Sequence, residues 1–542
     1  MSNRGFSRNV RAPVVPMRPD GGSPGTQTLK PKKSHGIAAR RQRSEARRAT
    51  GSLSALIVPR KRGHASRRDP VEGSEASKQR TVEGNYSMAS NMSTVSTKQQ
   101  RIAALAKQSP QMAFTTLAHH MDVEWLREAY ARTRKDGAVG VDGQTAAEYE
   151  RDLEGNLRRL LDRVKSGTYR APPVRRVHIP KGTNGETRPI GIPTLEDKIL
   201  QRAVVMLLEP IYEEDFRSCS YGFRPGRSAH QALEELWRQS SVGSGGWILE
   251  VDLRKFFDTL DHGHLRTFLQ HRIRDGVVLR LIGKWLNAGV LEDGAIHYPA
   301  EGSPPGGVIS PLLANVYLHY VLDAWFAQEV QPRLHGRAFL IRYADDLVMG
   351  FACEQDAHRV EKVLPQRVGK FGLTIHPEKT RLVPFQRPTP RATGHGHEPP
   401  TEPPVRNGGG RPGSFDFLGF THYWGRSRRG AWIVRRKTAA SRMRRALEAI
   451  QAWCREHLHD PVREQIQLLN QKLRGHDAYY GITGNGRSLT TFRHWLRRIW
   501  RYWLARRNCQ NGMPWPRFQR LLQRYPLAPA RVVHSIYRDR RT

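Results

Sequence analysis

The sequence predicts a mixed α/β (α+β) fold with an irregular basic segment before it and a helical basic segment after it. Three observations carry this. Short β-prone apolar runs such as Phe339-Leu340-Ile341 and Leu347-Val348-Met349 recur in the middle of the chain, punctuated by turn residues. Helix-prone stretches alternate with them. The last 120 or so residues are helix-prone, basic and rich in Trp and Tyr. At 542 residues the chain is long enough for two or three domains with sizeable cores.

The elements follow in order. Residues 1–95 are rich in Arg, Ser, Gly and Pro with few aromatics, and read as a disordered basic extension. Ordered patterning begins near Lys98-Gln99-Gln100-Arg101, and Met88 or Met92 are alternative starts. The extension either binds RNA or is an upstream stretch outside the translated protein. It lacks the apolar core of a secretory signal. Residues 120–165 read as helical, and 171–195 as extended segments around the turn Lys181-Gly182-Thr183-Asn184-Gly185. Residues 196–216 and 228–240 read as helices. A strand-like run, Gly246-Trp247-Ile248-Leu249-Glu250-Val251, delivers Asp252 at its C-terminal end. Residues 387–413 form a Pro/Gly-rich flexible insertion. Strand-like patterning resumes at Phe415-Asp416-Phe417-Leu418-Gly419-Phe420, before the helical end.

Tyr343-Ala344-Asp345-Asp346 sits between two β-prone runs and reads as the tip of a hairpin. Adjacent carboxylates in a tight turn repel unless a cation neutralises them, and Mg2+, a hard ion taking oxygen ligands, would do so. A solvated acidic turn is the plain alternative for Ala-Asp-Asp alone. Asp252 supplies a third carboxylate, and three suit two-metal phosphoryl transfer with ions about 3.5–4 Å apart. Asp252 and Asp345 would bridge the ions and Asp346 would ligate less directly. Charge and spacing at this point suit a nuclease as well as a polymerase.

Charge names the substrate class. The net charge is +39, unevenly spread. Residues 1–100 carry 20 Lys/Arg against 6 Asp/Glu, residues 101–420 carry 42 against 38, and residues 421–542 carry 27 against 6. A nearly neutral carboxylate segment between two strongly basic ones suits a long polyanion. Cys219, Cys353, Cys454 and Cys509 are widely separated, which argues against a zinc module and a disulfide framework and fits a reducing cytoplasm. No run of about 18 apolar residues predicts a membrane span.

From about residue 98 onward, ordered blocks resemble group II intron-encoded reverse transcriptase/maturases of the bacterial type without an HNH endonuclease domain. The blocks are Arg188-Pro189-Ile190-Gly191-Ile192-Pro193-Thr194, Tyr221-Gly222-Phe223-Arg224-Pro225-Gly226-Arg227-Ser228, and Asp252 with Phe256-Phe257-Asp258. Then come Gly307-Val308-Ile309-Ser310-Pro311-Leu312-Leu313-Ala314-Asn315, the Tyr343–Asp346 box and Gly372-Leu373-Thr374-Ile375-His376-Pro377-Glu378-Lys379-Thr380. Last are Leu418-Gly419-Phe420 and Leu473-Arg474-Gly475-His476 with Tyr479-Tyr480-Gly481. Each block alone is weak, and the ordered set is specific.

The resemblance implies a right-hand polymerase. Fingers and palm would occupy 96–420 (core about 162–420), and a helical maturase (X)/thumb domain with a short nucleic-acid-binding tail 421–542. It implies RNA-directed DNA synthesis with two Mg2+ ions and deoxynucleoside triphosphates on template RNA and primer DNA. It also implies binding of the chain's own intron RNA for splicing and retrohoming. The alternative is an RNA-binding splicing maturase with weak or lost polymerase activity. Asp252, Asp345 and Asp346 would be metal ligands and catalytic. Lys181 and Arg188 would pair with the incoming triphosphate. Phe257 would block a ribose 2′-hydroxyl, and Lys379 would protonate the departing pyrophosphate.

Gly302, Gly306 and Gly307 would place the loop against the nascent pair. The family has Gln where this chain has Pro305, which removes a side-chain amide and a backbone donor. In the thumb, Trp495, Ile499 and Trp503, with Leu496, recur at helical spacing and predict the core-facing stripe. Arg497, Arg498 and Arg501 on the other face, together with Arg474, would meet RNA phosphates. Tyr479 and Tyr480 would stack on bases or pack inside the thumb. The chain stops at Thr542 without cysteine pairs, so no DNA-cleaving domain of its own is expected, and priming from existing DNA ends follows from the resemblance. The implied setting is bacterial and cytoplasmic, nucleoid-associated when acting on DNA, as a monomer or dimer.

Overall fold

The computed structural model describes residues 94–180, 187–242, 245–292, 294–298, 306–388, 413–427, 429–507 and 512–535. Nearly all of the expected 1–95 extension lies outside the described residues. So do Lys181 with its turn, Gly302 and Pro305, the body of the 387–413 insertion, and the last residues of the expected tail.

The N-terminal part is helical, in separate pieces. A helix over 94–108 precedes Val123–Arg132, Ala146–Glu150 and Leu153–Lys165. The continuous helical stretch expected over 120–165 is broken because it contains three start signals. Asp122 accepts from Trp125 N, Thr145 makes a capping box with Glu148, and Asp152 accepts from Gly155 N. Strands β1 (Val174–Pro180) and β2 (Thr187–Ile192) pair antiparallel. The helix Leu195–Asp215 follows, with Thr194 as its N-cap, and is buried along most of its length in the largest core. The helix Ala229–Ser241 starts at Ser228, whose hydroxyl accepts from Gln231 N.

Strand β3 (Gly245–Asp252) belongs to a second sheet. Strands β4 (Val290–Glu292) and β5 (Ala295–His297) return to the first, which runs β2-β1-β4-β5. After the helix Ser310–Leu318 come β6 (Ala338–Tyr343) and β7 (Asp346–Phe351), then the helix Glu354–Gly369 and β8 (Arg381–Gln386). The second sheet runs β6-β7-β3-β8, with every neighbouring pair antiparallel. Its two faces follow the two-residue period of a strand. Leu249, Val251, Leu347 and Met349 enter the main core, while Ile248 and Val348 join Leu233 and Leu236 in a second core on the opposite face.

A third sheet, β11-β10-β9, comprises β9 (Ser414–Phe417), β10 (Phe420–Arg426) and β11 (Trp432–Thr438). The single strand expected at Phe415–Phe420 is therefore two strands. They are joined by Leu418 and Gly419, both at positive φ (47° and 79°). The sheet also extends into the region read as helical from residue 421, and helices begin only at Ala440. They are Ala440–Glu456, Val462–Tyr480, Gly486–Ala505 and Trp515–Arg524, packed around a third core that includes Leu473, Leu496, Trp500 and Phe518. The Glu250 carboxylate of β3 accepts from Asp416 N of β9 at 2.6 Å, linking the second and third sheets. The chain departs after β8 and returns close by, since a Cβ on Gly413 would stand 3.6 Å from Pro384 O. Among the described residues no helix is long and apolar enough to cross a membrane.

Candidate active site

The three carboxylates converge because of strand register. Asp252 ends β3 and lies directly opposite Asp346, the first residue of β7. Asp346 also pairs with Tyr343, so Ala344 and Asp345 form a two-residue turn. Residues directly opposite in an antiparallel pair place their side chains on one face, which puts Asp252 and Asp346 side by side. Ala344 takes a left-handed conformation (φ 58°), costly for a residue with a Cβ. Something must hold that turn.

Arg342 does so from below. Its guanidinium is fully buried and all five N–H groups are used. Nε donates to Asp323 Oδ1 (2.8 Å). Nη2 donates to Asp323 Oδ2 (2.6 Å) and Ser220 Oγ (2.7 Å). Nη1 donates to Asn315 Oδ1 (2.9 Å) and to the carbonyl of Ala344 (3.1 Å). Asn315 in turn donates to Gly222 O at 2.7 Å. Gly222 lies against the turn so closely that a Cβ would stand 2.3 Å from Ala344 N. Sequence reasoning missed this support. The available signal was an Arg inside an otherwise apolar strand, a buried charge that requires a partner.

The site is short of positive charge. Burial, then the charges of Asp345 and Asp252, push Asp346 up to about 6. Its carboxylate is solvent-accessible but lies in a recess with protein on most sides, which reconciles exposure with the burial effect. Burial also raises Asp345, with Asp252 adding to the effect and Arg188 opposing it. The donor set is all oxygen and its charges repel, the chemistry that a hard divalent cation relieves. Among the described residues, however, no group of three His, Cys, Asp or Glu is gathered tightly enough to hold a metal ion as oriented. Asp252 is instead paired with a lysine, its Oδ2 accepting from Lys379 Nζ at 3.0 Å.

The other predicted residues sit on several different segments. The segment carrying Lys379 is laid along the end of β3. Arg254 N donates to Thr374 O, His376 N to Asp252 O, and Asp252 N to Thr380 Oγ1. Arg188, on β2, is close enough to pull down both Asp345 and Asp346. Gly306 (φ 120°) packs on that strand, and a Cβ would stand 2.2 Å from Gly191 O. Phe257 is half-buried, edge-on to the buried Phe256 at 5.2 Å between ring centres. Arg442, at the start of the Ala440–Glu456 helix, is a further cation acting on Asp346 that sequence reasoning did not single out. The basic run Arg442-Met443-Arg444-Arg445 was its signal.

The C-terminal residues divide differently from expectation. The buried stripe of the Gly486–Ala505 helix is Leu489, Phe492, Leu496, Trp500 and Leu504. Trp495 is 44% exposed, and Ile499 and Trp503 are half-buried. A strict four-residue repeat advances 40° beyond a full turn at each step, so the expected Trp495-Ile499-Trp503 stripe drifts across the helix. Arg474, Arg497 and Arg498 are exposed. Arg501 is drawn inward, donating to Met513 O at 2.7 Å, with its guanidinium 4.5 Å from the centre of the Trp515 ring. Tyr479 donates to Leu418 O at 2.9 Å, and both Tyr479 and Tyr480 pack against Phe420.

Comparison with known proteins matches this arrangement in chain order. Residues 179–422 match the reverse transcriptase (RNA-dependent DNA polymerase) family, and residues 443–525 the group II intron maturase-specific domain. Protein YkfC of Escherichia coli is 35% identical over 325 residues, covering 53% of this chain and 84% of YkfC. Group II intron-encoded protein LtrA of Lactococcus lactis is 37% identical over 224 residues, covering 41% of this chain and 37% of LtrA. The mitochondrial nuclear intron maturase 2 of Arabidopsis thaliana is 36% identical over 176 residues, covering 25% of this chain and 24% of that protein. The chain belongs to the reverse transcriptase family, in the group II intron-encoded line that carries a maturase-specific domain.

Proposed function

We propose that the recess at Asp252, Asp345 and Asp346 catalyses RNA-templated DNA synthesis for a mobile group II intron, and that the same protein binds its intron RNA to assist splicing and retrohoming. The observation that carries the reading is the facing of Asp252 and Asp346 across β3 and β7, with Asp345 at the turn, Lys379 bonded to Asp252 and the Arg188 charge acting on Asp345. In this reading Asp252 and Asp345 would hold two Mg2+ ions, with Asp346 a less direct ligand. When bound, the ions activate the primer 3′-hydroxyl and neutralise the leaving pyrophosphate. The remaining work falls to the chain. Arg188 forks onto the triphosphate and Lys181 adds a point charge. Phe257 blocks the ribose 2′-hydroxyl of a wrong sugar. Gly306, having no side chain, lets its loop lie on β2 beside the nucleotide. Lys379 carries a proton within reach of the site and passes it to the departing pyrophosphate. The exposed Arg474, Arg497 and Arg498 contact RNA phosphates. The setting is the bacterial cytoplasm.

Primer extension on an RNA template tests this. The wild type extends with Mg2+ and deoxynucleotides, and Asp345→Ala does not. Pro305 favours a second reading, a maturase with weak polymerase activity. That reading holds if neither protein extends, yet the wild type restores splicing of its intron at low magnesium.

A further inference from the structure

We propose that the outward face of the Gly486–Ala505 helix is a stacking surface for unpaired RNA nucleotides. The choice of RNA as occupant rests on the maturase reading above, since the helix lies within the 443–525 match. The surface itself rests on geometry. The helix is packed inward by Leu489, Phe492, Leu496, Trp500 and Leu504. Its far side should then be polar throughout, yet it carries Trp495 at 44% and Tyr502 at 46% exposure.

These two rings are seven residues apart. That spacing puts them about 10.5 Å apart along the axis and within about 20° of one line. At roughly 3.4 Å per nucleotide of stacked strand, the interval corresponds to about three nucleotides. Each ring has its own cation. The Arg498 guanidinium lies 5.1 Å from the centre of Trp495, and that of Arg506 4.1 Å from the centre of Tyr502.

Single exposed aromatics are ordinary. Two on one line, each under an arginine, in a segment with 27 Lys/Arg and 6 Asp/Glu, are the combination that single-stranded nucleic acid uses. Trp, Tyr and Arg also populate protein–protein interfaces, and what favours a polyanion here is the uncompensated positive charge of the segment. A duplex hides its base faces, so a stacking surface selects unpaired strands and leaves duplex binding to the phosphate contacts.

The test uses the full-length protein and two probes. One is an unstructured uridine-rich RNA carrying 2-aminopurine, and the other a perfectly paired RNA hairpin of equal length. In the double variant W495L/Y502L, affinity for the unpaired probe falls roughly tenfold for each ring lost, and 2-aminopurine quenching disappears. Hairpin affinity and salt dependence stay at wild-type values. R498Q lowers the salt slope for both probes. The proposal is overturned if W495L/Y502L binds the unpaired probe like the wild type, or loses both probes equally. Photocrosslinking of wild-type protein to 4-thiouridine RNA is independent of any folding defect in the variants. A crosslink within residues 486–507 supports the surface, and crosslinks confined to other segments overturn it. Asp345→Ala separates the two readings. It removes primer extension if the catalytic proposal holds, and leaves probe binding unchanged if this one does.

Discussion

Replacing Asp323 with Ala would expose how much the active-site turn owes to the ion pair beneath it. Asp323 accepts two of the five N–H donors of Arg342, and both side chains are fully buried. Removing it leaves a guanidinium in the core with two orphaned donors and no counter-charge. Breaking a buried pair in this way costs about 3–5 kcal/mol, a large share of the roughly 5–15 kcal/mol that holds a typical protein together. Thermal melting should fall by roughly 6 °C or more.

The double variant Asp323→Leu with Arg342→Met separates stability from positioning. An apolar pair of similar volume is often neutral or stabilising, so melting should return towards wild type. Primer extension should not return with it, because the Ala344 carbonyl, held at 3.1 Å by Arg342 Nη1, has lost its donor and the left-handed turn is free to relax. Melting by fluorescence and single-turnover extension on one set of proteins reads both. The reasoning fails if Asp323→Ala melts within a degree of wild type, or if the double variant recovers extension along with stability.

Three further outcomes follow from the site. Gly222→Ala places a Cβ 2.3 Å from Ala344 N, and a displacement of the turn by about 1 Å should lower the extension rate on the order of a hundredfold, measured as kcat at saturating deoxynucleotide. Asp346→Asn should raise the melting temperature in EDTA while abolishing extension. The folded state raises Asp346 to about 6 from an ordinary value of 3.8, so charging it costs stability as pH rises through that window. The gain should therefore be complete above about pH 6 and vanish near pH 4, and a gain independent of pH would refute the cause. Lys379→Gln should slow extension by roughly a hundredfold or more, with Lys379→Arg partly restoring the rate. Extension by Lys379→Gln at the wild-type rate would remove Lys379 from proton transfer.

The carboxylates were legible in the sequence because each is framed by strand-like residues. The two-residue period of β3 and β7 fixes which side chains share a face once the hairpin tip is recognised. The support was not legible. Arg342 meets Asn315 and Asp323 from one continuous helical run and Ser220 from a distant segment, and nothing in the spacing announces that these fall at one point. The pairing of Lys379 with Asp252 spans 127 positions and arises from the way the Gly372–Thr380 block lies along β3. In the C-terminal helix the amphipathic period was visible but its phase was not. Trp495, Ile499 and Trp503 were assigned to the core along with Leu496, whereas Leu489, Phe492, Trp500 and Leu504 are the residues that join Leu496 there. The break of the third sheet at Leu418-Gly419 was hidden for a related reason. Leu418 adopts a positive φ that its residue type does not advertise.

The near-closure of the chain between β8 and β9 has a consequence for how the molecule tolerates change. Gly413 re-enters beside Pro384, so whatever lies between Gln386 and Ser414 begins and ends at almost the same place. Length there is thermodynamically inexpensive, because loop-closure entropy grows only with the logarithm of loop size. Within β3 and β7 the opposite holds. One residue gained or lost would turn Asp252 or Asp346 to the far face of the sheet. The same architecture thus offers a graft point for foreign sequence a few residues from strands that admit none.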